Sequence, residues 1–270
     1  MNEDLTERIR AKQTGGYMVH FVGAGPGAVD LITVRGQKLL SEADVVIYAG
    51  SLVNPELLTY CKQDVQLHNS AEMDLPEILD VMKQANAQDK TVVRLHTGEP
   101  SLYGAVREQM DGLDHLGIPY DSCPGVTAAF GAAAQLNMEF TLPGVSQSLI
   151  LTRLEGRTSV PAYESMESLA AHQCSMAIYL SAGMLPELAR KLIIGGRSGD
   201  TPVAVIYKAT WPDEKRVHTT ISRMAEEAAK AGIDRTAVVL VGDAVIGSGY
   251  ENSKLYDPSF ETGYRKARIE

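Results

Sequence analysis

The sequence predicts an α/β protein of two domains, the first built on a parallel sheet and the second on a mixed sheet. The chain has 270 residues, 44% of them apolar, which is enough for two domains with a core each, at about 150 residues per domain. Short β-branched runs alternate with segments of helical period, an alternation typical of α/β proteins. In the second half, two strands lie too close in sequence for a crossover helix, which predicts an antiparallel hairpin.

The first half of the chain shows this alternation several times. Predicted strands cover residues 17–22, 45–48, 91–96 and 118–122. Predicted helices cover residues 34–41, 55–61 and 77–87. The helix at 55–61 follows Asn54 as its cap and begins with Pro55, both of which are typical of a helix start. Strands separated by helices predict a parallel sheet.

The second half contains five further predicted strands. They cover residues 148–153, 176–181, 203–208, 216–221 and 237–242. Predicted helices at 185–194 and 222–231 are each followed by glycine, at Gly195, Gly196 and Gly232, as expected of helix ends. The connection at 209–215 is the short one that predicts the hairpin, so this sheet is predicted to be mixed.

Domain boundaries follow from breaks in these patterns. Residues 137–146 contain Pro143 and Gly144 and interrupt the apolar period, which predicts a linker. The N-terminal domain then covers residues 17–136 and the C-terminal domain residues 147–246. Residues 1–16 are polar, lack the apolar stretch of a secretory signal, and are predicted to form a flexible leader. For the polar tail at 247–270, disorder and a partner-docking arm are both open.

Composition excludes several classes of partner. Lys and Arg number 25 against 34 Asp and Glu, for a net charge of -9, which argues against nucleic acid or an anionic membrane as the main partner. The longest apolar runs are far shorter than the roughly 20 residues that span a bilayer. Cys61, Cys123 and Cys174 show no C-x-x-C spacing, and the histidines lack the spacing of metal ligands. These patterns predict reduced thiols, a cytoplasmic protein and no metal site.

Three loops rich in glycine and small residues follow predicted strands of the first domain. They are GAGPGA at residues 23–28, TGEPSLYG at 97–104 and CPGVTA at 123–128. The carboxyl ends of parallel strands meet at one edge of a sheet, which is where ligands bind in open α/β sheets. Small residues there let the backbone approach a ligand closely. The sequence therefore predicts a ligand site at this edge.

The first loop satisfies G-x-G-x-x-[G/A], the fingerprint of dinucleotide-binding proteins. Two features count against that interpretation. Pro26 stands where a backbone amide should face the pyrophosphate, and the strand ending at Tyr48 is followed by Ala-Gly-Ser instead of the acidic residue that would hold a ribose. A nicotinamide-dependent oxidoreductase is kept as an alternative, and a non-catalytic binding module of the same fold is a further one.

Six segments between residues 19 and 245 resemble the tetrapyrrole methylases, two-domain enzymes that use S-adenosylmethionine. They are FVGAGPGAVDLITVRG, RLHTGEPSLYGAVREQM, PGVTAAFGAAAQL, AIYLSAGM, PVAVIYKATWPDEK and TAVVLVGDAV. The segments YAGSLVNPELL, HNSAEM and SQSLILTRLEGRTSVP are most similar to the branch that methylates C11 of precorrin-4 or cobalt-precorrin-4 in cobalamin biosynthesis. Another tetrapyrrole carbon is the alternative within the family, and some relatives modify a protein. The second loop reads G-E-P where many relatives read G-D-P.

The resemblance implies that S-adenosylmethionine, released as S-adenosylhomocysteine, is held folded at an active site in the cleft between the two domains. It also implies a tetrapyrrole substrate and a homodimer. Cofactor contacts carried over by motif are Pro26, Gly98, Glu99, Leu102, Thr127, Ala128, Leu180, Ala209 and Ala237.

Methyl transfer from a sulfonium removes a charge, so a desolvated site helps, and positioning alone can supply about 7–11 kcal/mol. His96 is the candidate base for a macrocycle N–H proton, with Tyr103 as a polar orienter. The substrate carries many carboxylates, for which basic side chains are needed. The candidates in or beside the matching segments are Arg35, Arg107, Arg153, Arg157 and Lys208.

Overall fold

The computed structural model describes residues 18–268, so the predicted leader at 1–16 lies outside the described residues. The chain divides into two compact units. The first contains residues 18–131 together with Thr210–Pro212, and the second contains Ala132–Ala209 and the residues from Asp213 onward. The division falls after Gly131, ahead of the predicted linker at 137–146, and the boundaries of the linker and of the tail at 247–270 stay predictions.

The first unit contains a sheet of five strands, all paired in parallel, which confirms the predicted parallel sheet. The strands are β1 (Val19–Gly23), β2 (Val45–Tyr48), β3 (Gln66–Asn69), β4 (Val92–His96) and β5 (Tyr120–Cys123). Their order is β3-β2-β4-β1-β5, so β4, β1 and β5 are neighbours. β4 is buried at every position. β3 is a polar strand at the edge of the sheet and was not predicted from the sequence.

Thr33, Asn54 and Asp74 cap three of the helices of the first unit through their side chains. They are α1 (Val34–Glu42), the 3₁₀ helix Pro55–Tyr60, α2 (Leu75–Asn86) and α3 (Arg107–Leu116), and α4 (Ala128–Gln135) begins in this unit. The Asp74 and Glu77 side chains form a capping box at the start of α2. Alternate strand residues bury two apolar clusters. One contains Val22 and Leu95, and the other contains Phe21.

The second unit contains a mixed sheet, as predicted. Its strands are β6 (Leu149–Arg153), β7 (Ser175–Tyr179), β8 (Pro202–Tyr207), β9 (Lys215–Thr220) and β10 (Ala237–Val241), in the order β6-β7-β10-β8-β9. β6 and β7 are parallel, β10 is antiparallel to both neighbours, and β8 and β9 form the predicted antiparallel pair. The helices are α5 (Met166–Ala170), α6 (Leu185–Ile194) and α7 (Met224–Lys230).

The helices of this unit bury apolar side chains against the sheet in one core. Leu188 of α6 and Met224 of α7 share that core with Met176 and Val239 of the strands, and all four side chains are fully buried. Within residues 18–268, no helix combines the length and apolar character needed to cross a membrane.

Candidate functional site

The three glycine loops are bonded to one another at the carboxyl edge of the first sheet. Gly98 donates its N–H to the carbonyl of Gly25 at 2.9 Å, and Gly25 donates its N–H to the carbonyl of Gly98 at 3.3 Å. The Glu99 carboxylate accepts the N–H of Gly125 at 2.7 Å and that of Ser101 at 2.9 Å. The first loop is therefore joined to the second, and the second to the third.

Close backbone approach explains why these loops need glycine. A Cβ atom on Gly125 would lie 2.1 Å from the carbonyl oxygen of Gly98, and one on Gly23 would lie 2.6 Å from the Cα of Gly125. Side-chain rotation cannot relieve these contacts, because the atoms belong to the backbone. Gly98 also has a φ of 60°, which glycine adopts without steric cost.

Glu99 is a charged link between the second and third loops. Burial acts to raise the pKa of its carboxyl, but the hydrogen bonds from Gly125 and Ser101 outweigh burial and leave the pKa below its ordinary value. The carboxylate is therefore ionised at neutral pH. The longer side chain of G-E-P reaches the third loop, whereas contact between Glu99 and the cofactor stays a prediction.

The first loop has few amides left for a phosphate. The engaged amides are those of Ala24, which donates to the His96 carbonyl at 2.7 Å, Gly25, which donates to Gly98, and Ala28, which donates to Thr210 Oγ1 at 2.9 Å. Pro26 has no N–H. Phosphate-binding loops need several free N–H groups aimed at the anion. This geometry argues against the dinucleotide alternative.

His96 ends β4 in a buried position. Its side chain is 4% exposed and stacks on Phe21 with ring centroids 6.0 Å apart. Burial, helped by the nearby Arg94 guanidinium, lowers the pKa of His96 to about 3, so the imidazole is neutral. Among the described residues, its Nε2 has no hydrogen-bond partner. A base works best when its pKa lies near the operating pH, so the prediction that His96 takes up a proton requires different surroundings when ligands are bound.

Arg94 is a buried cation inside the same strand and was not among the residues predicted from the sequence. It is 5% exposed and donates to Gln109 Oε1 at 2.9 Å and to the Ile47 carbonyl at 3.2 Å. Burial lowers the pKa of Arg94 to about 10. The available signal was a charged residue within the apolar run VVRLH, since charged side chains are rarely buried unless they are paired.

The other site residues predicted in the first unit surround these links. A Cβ atom on Gly98 would lie 3.7 Å from the Cα of Thr127 and 3.8 Å from the amide nitrogen of Ala128, so the second and third loops are in contact there. Leu102 donates its N–H to the Glu99 carbonyl at 3.1 Å. Tyr103, at the end of this loop, has a φ of 58°, an uncommon value for a bulky residue.

Three predicted cofactor residues of the second unit, Leu180, Ala209 and Ala237, lie at one edge of its sheet. β10 pairs with β7 and β8, and Ala237 lies opposite Tyr207. Left-handed backbone conformations cluster at the same edge, with φ of 53° at Leu180, 47° at Lys208 and 49° at Thr236. Strain of this kind costs about 1–3 kcal/mol per residue and concentrates at functional sites.

The five predicted substrate cations fall into two groups. Arg107 pairs with Asp111 and Asp114 on α3, and Lys208 pairs with Asp213. The guanidinium of Arg153 donates to three backbone carbonyls, those of Leu154, Thr158 and Ser159, and so holds its own loop. Arg35 and Arg157 are exposed. Neither of them forms an ion pair with another residue of the part of the chain that the structure describes.

Residues 18–225, which contain the first sheet, the linked loops and most of the second sheet, match the Tetrapyrrole (Corrin/Porphyrin) Methylases. The chain belongs to this family, which confirms the resemblance found in its sequence. A cobalt-precorrin-4 C(11)-methyltransferase of Methanocaldococcus jannaschii is 51% identical over 92% of this chain and 96% of the relative. A precorrin-4 C(11)-methyltransferase of Pseudomonas aeruginosa is 44% identical over 92% of this chain and 98% of the relative.

A solved structure shares the fold at high similarity. It is the X-ray structure of a cobalamin biosynthetic enzyme, cobalt precorrin-4 methyltransferase, with a TM-score of 0.83 and 45% sequence identity. The match covers 84% of this chain and 95% of that protein. This similarity confirms the predicted α/β fold class.

Proposed function

We propose that this protein transfers a methyl group from S-adenosylmethionine to C11 of precorrin-4 or cobalt-precorrin-4, in cobalamin biosynthesis. The observation that carries the proposal is the 51% identity to a methyltransferase of that name over nearly the whole of both chains. Relatives named for the substrate with and without cobalt are similar to this chain at 51% and 44% identity, so the proposal includes both forms.

The linked loops suit a donor of this chemistry. S-adenosylmethionine supplies an electrophilic methyl on a cationic sulfonium and carries no phosphate. A first loop whose amides at Ala24, Gly25 and Ala28 are engaged offers little to a phosphate, and the small residues of the three loops leave room for an adenosine and a thioether. The ionised Glu99 places a negative charge on the second loop, and a negative charge favours a cationic ligand.

Donor contacts are proposed at two sheet edges. In the first unit they are Pro26, Gly98, Glu99, Leu102, Thr127 and Ala128. In the second unit they are Leu180, Ala209 and Ala237, beside the strained backbone described above. That the donor is held in a cleft between the two domains stays a prediction. Holding the donor rigidly is the main contribution that such residues make, since reactants that are already oriented lose less entropy on reaching the transition state.

The acceptor needs little chemical activation by the protein. Its own π-system is the nucleophile, so the chain has to exclude water and orient the ring. Neutral His96 supplies a buried nitrogen that has no hydrogen-bond partner within residues 18–268, and Tyr103 lies at the end of the neighbouring loop. We keep both as candidate catalytic residues. Arg35 and Arg157 are the cations with the best access to substrate carboxylates, because the guanidinium or ammonium groups of Arg107, Arg153 and Lys208 are engaged.

We further propose a cytoplasmic homodimer with no nucleic-acid or membrane partner. The net charge of -9 supports weak affinity for polyanions. Light scattering of the purified full chain measures the assembly directly. A monomer across the working concentration range would contradict the dimer without affecting the proposed reaction.

The reaction is tested by incubating the full chain with S-adenosylmethionine carrying a ¹³C-methyl group and with precorrin-4 or cobalt-precorrin-4. We expect one added methyl group by mass spectrometry and a new ¹³C signal assigned to C11. A signal assigned to another carbon would mean that the protein belongs to a different branch of the family. A protein that leaves the precursor unchanged, yet binds reduced nicotinamide saturably, would favour the oxidoreductase alternative.

A further inference from the structure

Three side chains distant in sequence hold the turn Pro26–Ala28 of the first glycine loop. Trp211 donates its indole N–H to the Pro26 carbonyl at 3.0 Å, and Asn54 donates its amide to the Gly27 carbonyl at 2.9 Å. The N–H of Ala28 donates to Thr210 Oγ1 at 2.9 Å. Three successive residues of the turn are thus each bonded through the backbone to one side chain. We call Asn54, Thr210 and Trp211 the clamp.

The clamp also fits the turn sterically. A Cβ atom on Gly27 would lie 2.0 Å from Cδ1 of Trp211, so the indole lies directly against the glycine. Asn54 is 6% exposed and also caps the 3₁₀ helix Pro55–Tyr60 by accepting the N–H of Glu56. Thr210–Pro212 belongs to the first unit, although the strands before and after it belong to the second. Thr210 has a φ of 71°, a conformation that costs free energy in a β-branched residue.

The turn at Pro26–Ala28 is held by the side chains of the clamp, whereas the other contacts among the three loops do not involve the clamp. Backbone and Glu99 hydrogen bonds join Gly25, Gly98 and Gly125 to each other, whereas the carbonyls of Pro26 and Gly27 and the N–H of Ala28 are bonded by clamp side chains. A loop already held in its bound shape costs less to order when a ligand arrives. Satisfied backbone groups also avoid an unmade hydrogen bond beneath the ligand.

We propose that Thr210 and Trp211 are positioning residues for the methyl donor, because they fix the turn at Pro26–Ala28 in the shape that receives S-adenosylmethionine. This inference rests on the proposed function. Neither residue needs to touch the donor for the effect. Ala209, a proposed donor contact, directly precedes Thr210 in the chain, so the clamp also fixes one end of that residue.

The first test compares variants of Thr210 by calorimetric titration with S-adenosylhomocysteine. Thr210→Val keeps the shape of the side chain but leaves the Ala28 N–H without its acceptor, and we expect affinity to fall about tenfold, which corresponds to about 1.4 kcal/mol. Thr210→Ser restores the acceptor and should bind within about twofold of the original protein. Thr219→Val is the matched control, since the buried Thr219 hydroxyl has no hydrogen-bond partner among the described residues.

The second test uses tryptophan fluorescence. Trp211 is the single tryptophan of the chain, so its emission reports on the clamp alone. We expect donor-product binding to shift that emission. Trp211→Phe, which keeps an aromatic ring but loses the N–H, should raise the KM for S-adenosylmethionine about tenfold while kcat at saturating donor and the KM for the tetrapyrrole stay within about twofold. A purely structural role would lower thermal stability without this split.

Three results would overturn the inference: Thr210→Val with unchanged affinity, an equal loss in Thr219→Val, or no rescue by serine. Should Thr210→Val fail to fold, Trp211→Phe carries the test through the KM split, and Thr210→Ser is the variant expected to keep the original KM. If the original protein methylates C11 but the clamp variants are unaffected, only the clamp is wrong. If the original protein binds no S-adenosylhomocysteine, the proposed function and the clamp are both wrong.

Discussion

Replacing Glu99 by glutamine tests whether its carboxylate links the second and third loops. The two oxygens accept N–H groups at 2.7 and 2.9 Å, and a hydrogen bond to a charged group contributes about 1.5–3 kcal/mol. Glutamine keeps one acceptor oxygen and loses the other. Water reaches the half-buried site, so we expect Glu99→Gln to lower the free energy of unfolding by about 1–2 kcal/mol, which corresponds to about 2–8 °C in Tm.

The sign of the pH dependence follows from the lowered pKa of Glu99. A carboxyl group whose pKa is lower in the folded than in the unfolded protein stabilises the fold above its ordinary pKa, near 4.5, and this stabilisation is lost as the pH falls through the folded value. The difference in Tm between the original protein and Glu99→Gln should therefore be full at neutral pH and should shrink in acid. Calorimetric melts across this pH range measure it.

A matched control for this experiment is Glu261→Gln in the exposed C-terminal segment. Its glutamate is solvent-exposed, so the melts should coincide with those of the original protein at every pH. A Glu99→Gln protein that melts like the original at neutral pH would refute the link. A difference that stays constant from neutral to acid pH would refute the role of the charge.

Three further predictions concern the loop edge, the buried cation and the substrate. Gly125→Ala should abolish S-adenosylhomocysteine binding in calorimetry, because its Cβ would lie 2.1 Å from a backbone oxygen, whereas Gly263→Ala, in open space, should bind normally. Arg94→Met should raise the pKa of His96 in an NMR titration, since a nearby positive charge is removed, but burial should keep that pKa below its ordinary value. Arg157→Ala should raise the KM for the tetrapyrrole about tenfold, the loss of one charged hydrogen bond, with donor affinity unchanged.

Each of these predictions has a contradicting result. Normal donor-product binding by Gly125→Ala would show that the close approach of the loops is not needed. An unchanged His96 pKa in Arg94→Met would assign the shift to burial alone. A parallel loss of substrate and donor affinity in Arg157→Ala would mean that this arginine acts on the fold of its loop and does not bind the substrate.

Local patterns predicted the regular parts of the fold. The hairpin of β8 and β9 followed from the length of one connection, and α6 begins and ends at the predicted residues 185 and 194. The polar strand β3 and the helices α3, α4 and α5 were missed. β3 lies at a sheet edge and has no apolar alternation. α4 is almost wholly apolar, so it shows no amphipathic period.

Only those features of the site that depend on residues close together in the sequence could be predicted. Glycine spacing after predicted strands placed the three loops at one edge, and the structure joins them. The clamp could not be predicted, because Trp211 and Pro26 are 185 positions apart in the chain and no local pattern relates them. The pKa of His96 likewise depends on its burial and on the proximity of the Arg94 guanidinium, and both arise only in the folded protein.

The central claim is that the linked glycine loops receive the methyl donor. A crystal structure of the full chain with S-adenosylhomocysteine bound tests it most directly. We predict the ligand against Gly98, Thr127 and Ala128, with the Glu99–Gly125 bond intact and no part of the ligand bonded to the amides of the first loop. A ligand found away from these loops, or extended along residues 23–28 as a dinucleotide would be, would contradict the claim.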